Sequence, residues 1–244
     1  MAISVAVVGA TGRLGSQVVR VVEAMPDMEV FAKLDSKSDL QEMVGANIAV
    51  DATRPDVSPK VVEFALANSL KVLVATSGWS ADRLRELSGT VSQGSSSGVF
   101  VVPNFSVGSA IQLVASKIAA EIFESIEIVE SHHLGKVDSP SGTAVRAAEE
   151  IAEARARNGG VIAPFSNQTA RGEAIDGIPV HSLRLKGVLA RQDIIFGGAG
   201  ESLTISHDTS SMEAYNQGIA IALRFLSGHN GLAVGLSEAL GILK

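Results

Sequence analysis

Apolar residues fall in short runs through the first hundred positions, and stretches of helical spacing separate them. Residues 3–8 (ISVAVV) are nearly all apolar and stop at Gly9, the mark of a strand buried on both faces. Residues 13–25 place Leu14, Val18, Val21 and Val22 on one side of a helix, and Pro26 follows as a stop. Residues 30–34 predict a second strand and 48–50 a third, which closes in DATRP. Residues 57–67 predict a helix, KVLVAT (71–76) a strand, the segment around Arg83 and Leu84 a helix, and VFVVP (99–103) another strand. Strand, helix, strand with short links predicts an α/β domain, a Rossmann-like, doubly wound parallel sheet with helices on both faces.

After PNFSVGS the pattern changes. Residues 110–122 predict a helix, 126–130 a strand and 145–157 a charged amphipathic helix. Residues 159–177 predict a long loop. Three strand-like runs follow, IPVHSLRL (178–185), RQDIIFG (191–197) and ESLTISHD (201–208), with short glycine-containing links. Consecutive runs so joined predict antiparallel pairing. Residues 212–226 return to helix. The chain is therefore expected to divide near Pro103. One domain covers 1–103, with 211–244 packing back on it; an α+β domain with a mixed or antiparallel sheet covers 104–210. SQGSSSG (92–98) predicts a flexible loop too short to link domains.

Composition narrows the classes of function. Apolar residues make up 46% of the 244 and aromatics only 4%, so the core is mostly Val, Ile, Leu and Ala, which suits buried parallel strands. The chain has no cysteine, which excludes disulfides, thiolate metal sites and a cysteine nucleophile. A formal net charge of −6 argues against a nucleic-acid partner, although a local basic cluster can still hold a small anion. The first apolar run has no cationic region before it and ends in glycines, so it reads as a strand and not a signal peptide. No apolar stretch is long enough to cross a bilayer. A cytoplasmic protein with no membrane partner is expected.

Gly9, Gly12 and Gly15 follow a predicted strand and open a predicted helix. Glycine permits the sharp turn and a close approach by pyrophosphate, and the helix start offers N–H groups and a positive dipole end. Asp35 stands ~20 residues on, at the end of the second strand, where a carboxylate accepts ribose hydroxyls. A carboxylate repels a 2′-phosphate, so Asp35 favours NADH over NADPH; the flanking Lys33 and Lys37 would soften that choice if they faced the ribose. DATRP, ATSG (75–78) and VPNFSVG (102–108) also end predicted strands, where open α/β sheets bind ligands.

The stretch SHHLGKVDSPSGTA (131–144) gathers cationic groups just before a helix start. Ser139 reads as the cap and Pro140 as the first helical residue, with Ser141, Gly142 and Thr143 in the first turn. Free N–H groups and hydroxyls there suit a carboxylate. His132, His133 and Lys136 lie just before, able to meet an anion and deliver a proton. Adjacent histidines point apart in a strand and no third ligand is near, so no metal site is expected.

These motifs resemble the dihydrodipicolinate reductase family of bacterial lysine and diaminopimelate synthesis, across nearly the whole chain. HHLGKVDSPSGTA is the most specific match; GATGRLG, PNFSVG, DGIPVHSLRL and GESLTISHD follow the family's order, and the short length and Asp35 resemble its actinobacterial branch. The resemblance implies hydride transfer from NADH or NADPH to a cyclic imine dicarboxylate, with a proton to follow. It implies that His132 is the proton donor or acceptor, Lys136 a proton-donating lysine, and His133 with Ser141, Gly142 and Thr143 the carboxylate grip. It implies cofactor contacts at Gly9, Ala10, Thr11, Gly12, Arg13, Leu14, Asp35, Ala75, Thr76, Ser77, Val102, Pro103, Asn104 and Phe105. It also implies that the second domain binds substrate and that its sheet joins a homotetramer. Ala75, Ala52 and Ser139 stand where the family usually has glycine, an aromatic and alanine.

Two other readings share the nucleotide motif. GATGRLG is also similar to the extended short-chain dehydrogenases, but their Tyr-x-x-x-Lys is missing: Tyr215 is the single tyrosine and Ile219 stands four residues on. A nucleotide-sensing relative without turnover remains open, as does an amino-acid dehydrogenase of related fold.

Overall fold

The structure is a computed structural model that describes residues 2–91 and 97–242. Most of the SQGSSSG segment, residues 92–96, lies outside the described residues. The chain forms two compact units, one of Met1–Val107 with Tyr215–Lys244 and one of Gly108–Ala214.

The first unit holds a six-stranded parallel sheet. Its strands are β1 (Ile3–Val8), β2 (Met28–Leu34), β3 (Ile48–Asp51), β4 (Lys71–Val74), β5 (Gly98–Val101) and β11 (Gly231–Val234), in the order β11-β5-β4-β3-β1-β2. The four residues of β3 and of β5 are all buried, as strands covered on both faces must be. One face carries Ala6, Val8, Ala49, Val72, Val74, Val99 and Val101 against α2 (Ser58–Ala67) and α3 (Ala81–Thr90). The other packs α1 (Arg13–Ala24) and α6 (Asn216–Gly228). Each fully buried Val, Leu or Ile on these faces contributes roughly 1.5–3 kcal/mol.

Chain order reverses around β1, since β2 lies on one side of it and β3 on the other. That is the switch point where doubly wound sheets open a crevice beyond their carboxyl ends. The C-terminal segment adds more than the predicted helix. A 3₁₀ turn (Met212–Tyr215) precedes α6, and β11 and α7 (Leu236–Leu240) follow it. Lys71 ties α6 down, its Nζ donating to the carbonyls of Leu226, Ser227 and His229 at 3.1, 2.8 and 2.7 Å. An ammonium there complements the negative end of the helix dipole.

The second unit holds α4 (Val107–Ile122, its first residue in the other unit), β6 (Ser125–His132), α5 (Gly142–Ala156), β7 (Glu173–Ile175), β8 (Ile178–Arg184), β9 (Ala190–Gly198) and β10 (Glu201–Thr209). The strand order is β10-β9-β6-β8-β7. The expected pairing of β9 with β10 is antiparallel as predicted, but β8 does not pair with β9. β6 inserts between them, parallel to β8 and antiparallel to β9. β7 lies inside the stretch expected to be loop and pairs with β8 through three residues. Ile126, Ile128, Ile178, Val180, Ile194 and Phe196 meet Ala144, Ala147, Ala148 and Ile151 of α5 in one core. The alanines let this helix lie close to the sheet. On the opposite face, Leu183 and Ile195 are exposed.

Candidate active site

Gly9 leaves β1 with φ +86°, in the left-handed region that favours glycine. A Cβ there would overlap the carbonyl oxygen of Ala52, just beyond β3, so the two strand ends touch at the switch point. The N–H groups of Gly9 and Ala10 both donate to Leu34 O, at 2.9 and 3.0 Å, which fastens the turn to β2. Gly15 faces the carbonyl of Gly9, and any side chain there would push the helix away. Gly12 caps α1 with no side-chain hydrogen bond, and the first turn carries no acid. The opening N–H groups of α1 are thus left for an anion. These residues fit a dinucleotide pyrophosphate.

Asp35 follows β2 directly and is exposed. Its Oδ1 accepts from the N–H of Lys37 at 2.8 Å and from Ser38 Oγ at 3.4 Å. Among the described residues Oδ2 accepts no hydrogen bond. Lys33 is committed elsewhere, its Nζ on Glu23 at 2.7 Å.

The remaining predicted cofactor residues also sit at strand ends, with differing roles. Thr11, Arg13, Ser77 and Pro103 are exposed; Leu14 and Asn104 are half-buried. Ala10, Ala75, Thr76, Val102 and Phe105 are buried and shape the crevice through backbone and packing. The Thr76 hydroxyl donates to Asp51 O at 3.2 Å and accepts from the Thr53 N–H at 2.9 Å. Asn104 holds its own turn, its Oδ1 accepting from the Ser106 N–H at 2.9 Å.

In the second unit the alternation of β6 puts Glu130 and His132 in phase with Ile126 and Ile128, on the helix-covered face. Glu130 has no exposed surface. Its Oε2 accepts from Arg184 Nη1 at 2.9 Å and meets His132 Nδ1 at 2.5 Å. Its Oε1 accepts from Arg184 Nη2 at 3.0 Å and from the Ser141 N–H at 3.2 Å. Arg184 also donates to the carbonyls of Asp138 at 2.6 Å and Lys136 at 3.4 Å. One buried carboxylate and one guanidinium therefore hold the strand end, the loop carrying Lys136 and the start of α5. Neither Glu130 nor Arg184 was among the residues predicted for the site.

Ser141, not Ser139, caps the helix, and α5 begins at Gly142 instead of Pro140. The reason is local: Ser141 has extended backbone, and its Oγ accepts from the Ala144 N–H at 3.2 Å. The Ser141 N–H, expected to be free, is taken by Glu130. Gly142 and Thr143 are exposed in the first turn. His133 is half-buried, and its Nδ1 accepts from the Gly135 N–H at 3.1 Å. Lys136 places Nζ 2.7 and 2.8 Å from the two carboxylate oxygens of Asp138.

Burial alone would raise the Glu130 carboxyl, but hydrogen bonds from Arg184 and His132 bring it below its ordinary value. Burial pushes the His132 imidazole down. Glu130 pulls the other way, and Lys136 and Arg184 add to the lowering. Arg184 already neutralises Glu130, so the carboxylate does not hold a second proton on the ring. Asp138 is lowered first by its bond from Lys136, against the effect of burial. A neutral His132 donates Nδ1–H to Glu130 and keeps Nε2 as the position through which a proton can be exchanged. Among the described residues no group of three metal-ligating side chains occurs, and no helix is long and apolar enough to cross a membrane.

A glycine turn of dinucleotide-binding shape on one unit and a Glu130–His132 pair with Lys136 at a helix start on the other fit a nucleotide-dependent oxidoreductase. Residues 3–105 match the family described as "Dihydrodipicolinate reductase, N-terminus" and residues 108–240 its C-terminal counterpart. The chain belongs to the dihydrodipicolinate reductase family. It is 51% identical over 240 residues to the 4-hydroxy-tetrahydrodipicolinate reductase of Clavibacter sepedonicus, covering 98% of this chain and 87% of that protein. It is 41% identical to the enzyme of the same name from Streptomyces coelicolor, covering 98% of each. The dipicolinate-bound dihydrodipicolinate reductase of Paenisporosarcina sp. TG-14 superimposes with a TM-score of 0.81 at 29% identity, covering 98% of this chain and 99% of that one.

Proposed function

We propose that this protein reduces 4-hydroxy-tetrahydrodipicolinate to tetrahydrodipicolinate, within lysine and diaminopimelate synthesis in the cytoplasm. The observation that carries the reading is the Glu130–His132 pair beside Lys136 and the start of α5, within a family of that activity. NADH or NADPH supplies the hydride when bound; Gly9–Leu14 hold its pyrophosphate, Asp35 its ribose, and the ends of β4 and β5 the rest.

The substrate is a small dicarboxylate. Lys136, His133 and the Thr143 N–H bind its carboxylates, joined by the Gly142 N–H, which in the free protein donates to the Asp138 carboxylate. Ser141 joins them with its hydroxyl proton, since its oxygen already accepts from Ala144. Loss of the 4-hydroxyl as water leaves a conjugated cyclic imine; hydride addition then brings two electrons into the ring and calls for one proton. His132 Nε2 first takes a proton from the Lys136 ammonium or from water and passes it to the ring, or the Lys136 ammonium gives its proton directly. Glu130 stabilises the ring's charged form in passing and keeps Nε2 aimed outward.

The face of the second sheet opposite α5 exposes Leu183, Leu185 and Ile195, which supports a homotetramer built through it. A mass in solution of one subunit would remove that part of the reading.

The test is a coupled assay. Pyruvate and aspartate semialdehyde, with the preceding synthase, generate the substrate in place. Oxidation of NADH or NADPH that depends on the synthase is the expected result. Nucleotide binding without oxidation would leave a sensor, and NAD reduction by aspartate alone would leave an amino-acid dehydrogenase.

A further inference from the structure

Asp51 ends β3 with no exposed surface and, among the described residues, in no ion pair. Its charge rests on hydroxyl and amide donors. Oδ1 accepts from the N–H of Thr53 at 3.2 Å and from Thr53 Oγ1 at 2.5 Å. Oδ2 accepts from Ser58 Oγ, in the first turn of α2. Ser58 Oγ in turn accepts from Trp79 Nε1 at 2.9 Å. The main-chain oxygen of Asp51 accepts from the Ala75 N–H at 2.8 Å and from Thr76 Oγ1 at 3.2 Å. One buried residue thus ties together the loop after β3, the start of α2 and the loop after β4.

A carboxylate buried without a cation is costly unless every lone pair is used. The first turn of α2 helps, with its positive dipole end and the Ser58 hydroxyl. An apolar residue would close a strand more cheaply, so the arrangement calls for a reason in what it holds. Strand order supplies one. Asp35 lies past β2 and the uncapped start of α1 past β1, which fixes the adenosine ribose and pyrophosphate of a dinucleotide there. The other half of the cofactor then runs the opposite way along the strand order, over the ends of β3 and β4. Those are the ends Asp51 binds together.

We propose that Asp51 is a positioning residue for the nicotinamide half of the cofactor, holding the loops after β3 and β4 in the shape that receives it. Trp79, the single tryptophan of the chain, is part of the network and reports its state. It packs partly buried against the sheet core, so its emission changes when its N–H loses Ser58. The inference rests on the proposed dinucleotide reading.

Asp51→Asn keeps the shape but turns an N–H₂ toward Ser58, which strands the serine proton. Ser58→Ala is the gentler variant if Asp51→Asn does not fold. Binding of NADH and of ADP is measured by calorimetry on the full chain, with tryptophan emission recorded alongside. ADP probes only the β1 and β2 end. The expected result is NADH binding weakened about tenfold, the scale of one lost hydrogen bond to a charged group, with ADP binding unchanged and tryptophan emission shifted. Equal loss for ADP and NADH would make Asp51 a general scaffold and overturn the proposal, as would no loss for either. Wild type that binds neither nucleotide would instead overturn the dinucleotide reading itself, and the proposal with it.

Discussion

Glu130 and Arg184 meet as two parallel charge-assisted hydrogen bonds, 2.9 and 3.0 Å long, on a carboxylate with no exposed surface. Their positions on β6 and β8 are offset by two residues, one step on the same face: Arg184 is the partner of His132, and Glu130 that of Ser182. The guanidinium reaches back along the strand to the acid and forward to the loop carrying Lys136. Removing Arg184 leaves the buried Glu130 without its cation, with only His132 and the Ser141 N–H beside it, and removing Glu130 leaves the half-buried guanidinium without its carboxylate. Arg184→Met should cost about 3–5 kcal/mol in urea unfolding, and Glu130→Gln added to it should restore part of that loss. Additive losses would mean that the two groups do not depend on each other.

His132→Gln should lower kcat roughly a hundredfold or more while KM changes little, because a proton donor acts in the transition state and not in the bound substrate. Steady-state kinetics in the coupled assay decide it. Unchanged kcat would remove His132 from the proton path and leave Lys136 as its carrier.

If Lys136 both binds and donates a proton, as proposed, its loss should show in both constants. Lys136→Ala should lower kcat and raise KM together. Lys136→Arg should recover much of KM, since the charge remains, but not kcat, since a guanidinium does not give up its proton. A variant with both constants intact would make Lys136 a surface charge paired to Asp138 and nothing more.

The pH dependence of stability has a defined sign. His132 is depressed below 6.5 when folded, so just below 6.5 the unfolded chain binds a proton that the folded chain refuses. Stability therefore falls as pH drops through that window, and above it His132 adds no slope. Glu130 is depressed below 4.5, so its contribution is intact above 4.5 and is lost as pH falls through its lower folded value. Burial pushes His207 and His229 down too, giving slopes of the same sign in the same window below 6.5. The difference between wild type and His132→Gln isolates one imidazole. That difference should flatten the curve just below 6.5 and leave the fall below 4.5 in place.

The first unit was legible because buried parallel strands are continuous apolar runs. Residues 3–8 coincide with β1, and glycine marks where that strand ends. The second unit was less so. Nothing along the chain says that β6 inserts between β8 and β9, because that order depends on pairing over fifty positions and more. β7 has three residues and β11 four, too short for a period to register. Of the site, His132, Lys136 and the helix start stood out as chemistry. Glu130 and Arg184 did not, though each carries a signal: a charge in phase with Ile126 and Ile128, and another in phase with Ile178 and Val180. A charged residue on the apolar beat of a strand must find a partner, and here each is the other's.

On the proposed reading Asp35 governs cofactor choice through charge. One carboxylate oxygen is held by the Lys37 N–H and Ser38; the other, if it meets the ribose as proposed, accepts from the diol and repels a 2′-phosphate. Asp35→Ser should move the ratio of kcat/KM for NADPH over NADH upward by about tenfold, the equivalent of ~1.4 kcal/mol. Lys33 would be the natural cation for a 2′-phosphate, but Glu23 holds its amine at 2.7 Å. The pair is half-exposed and weak, so freeing the lysine costs little stability. Glu23→Gln combined with Asp35→Ser should therefore favour NADPH more than Asp35→Ser alone, and the excess should shrink as salt is added. Measuring both ratios at low and high ionic strength separates the two effects. A double variant no different from the single one would show that Lys33 does not reach the ribose, leaving the carboxylate as the whole of the selection on this strand end.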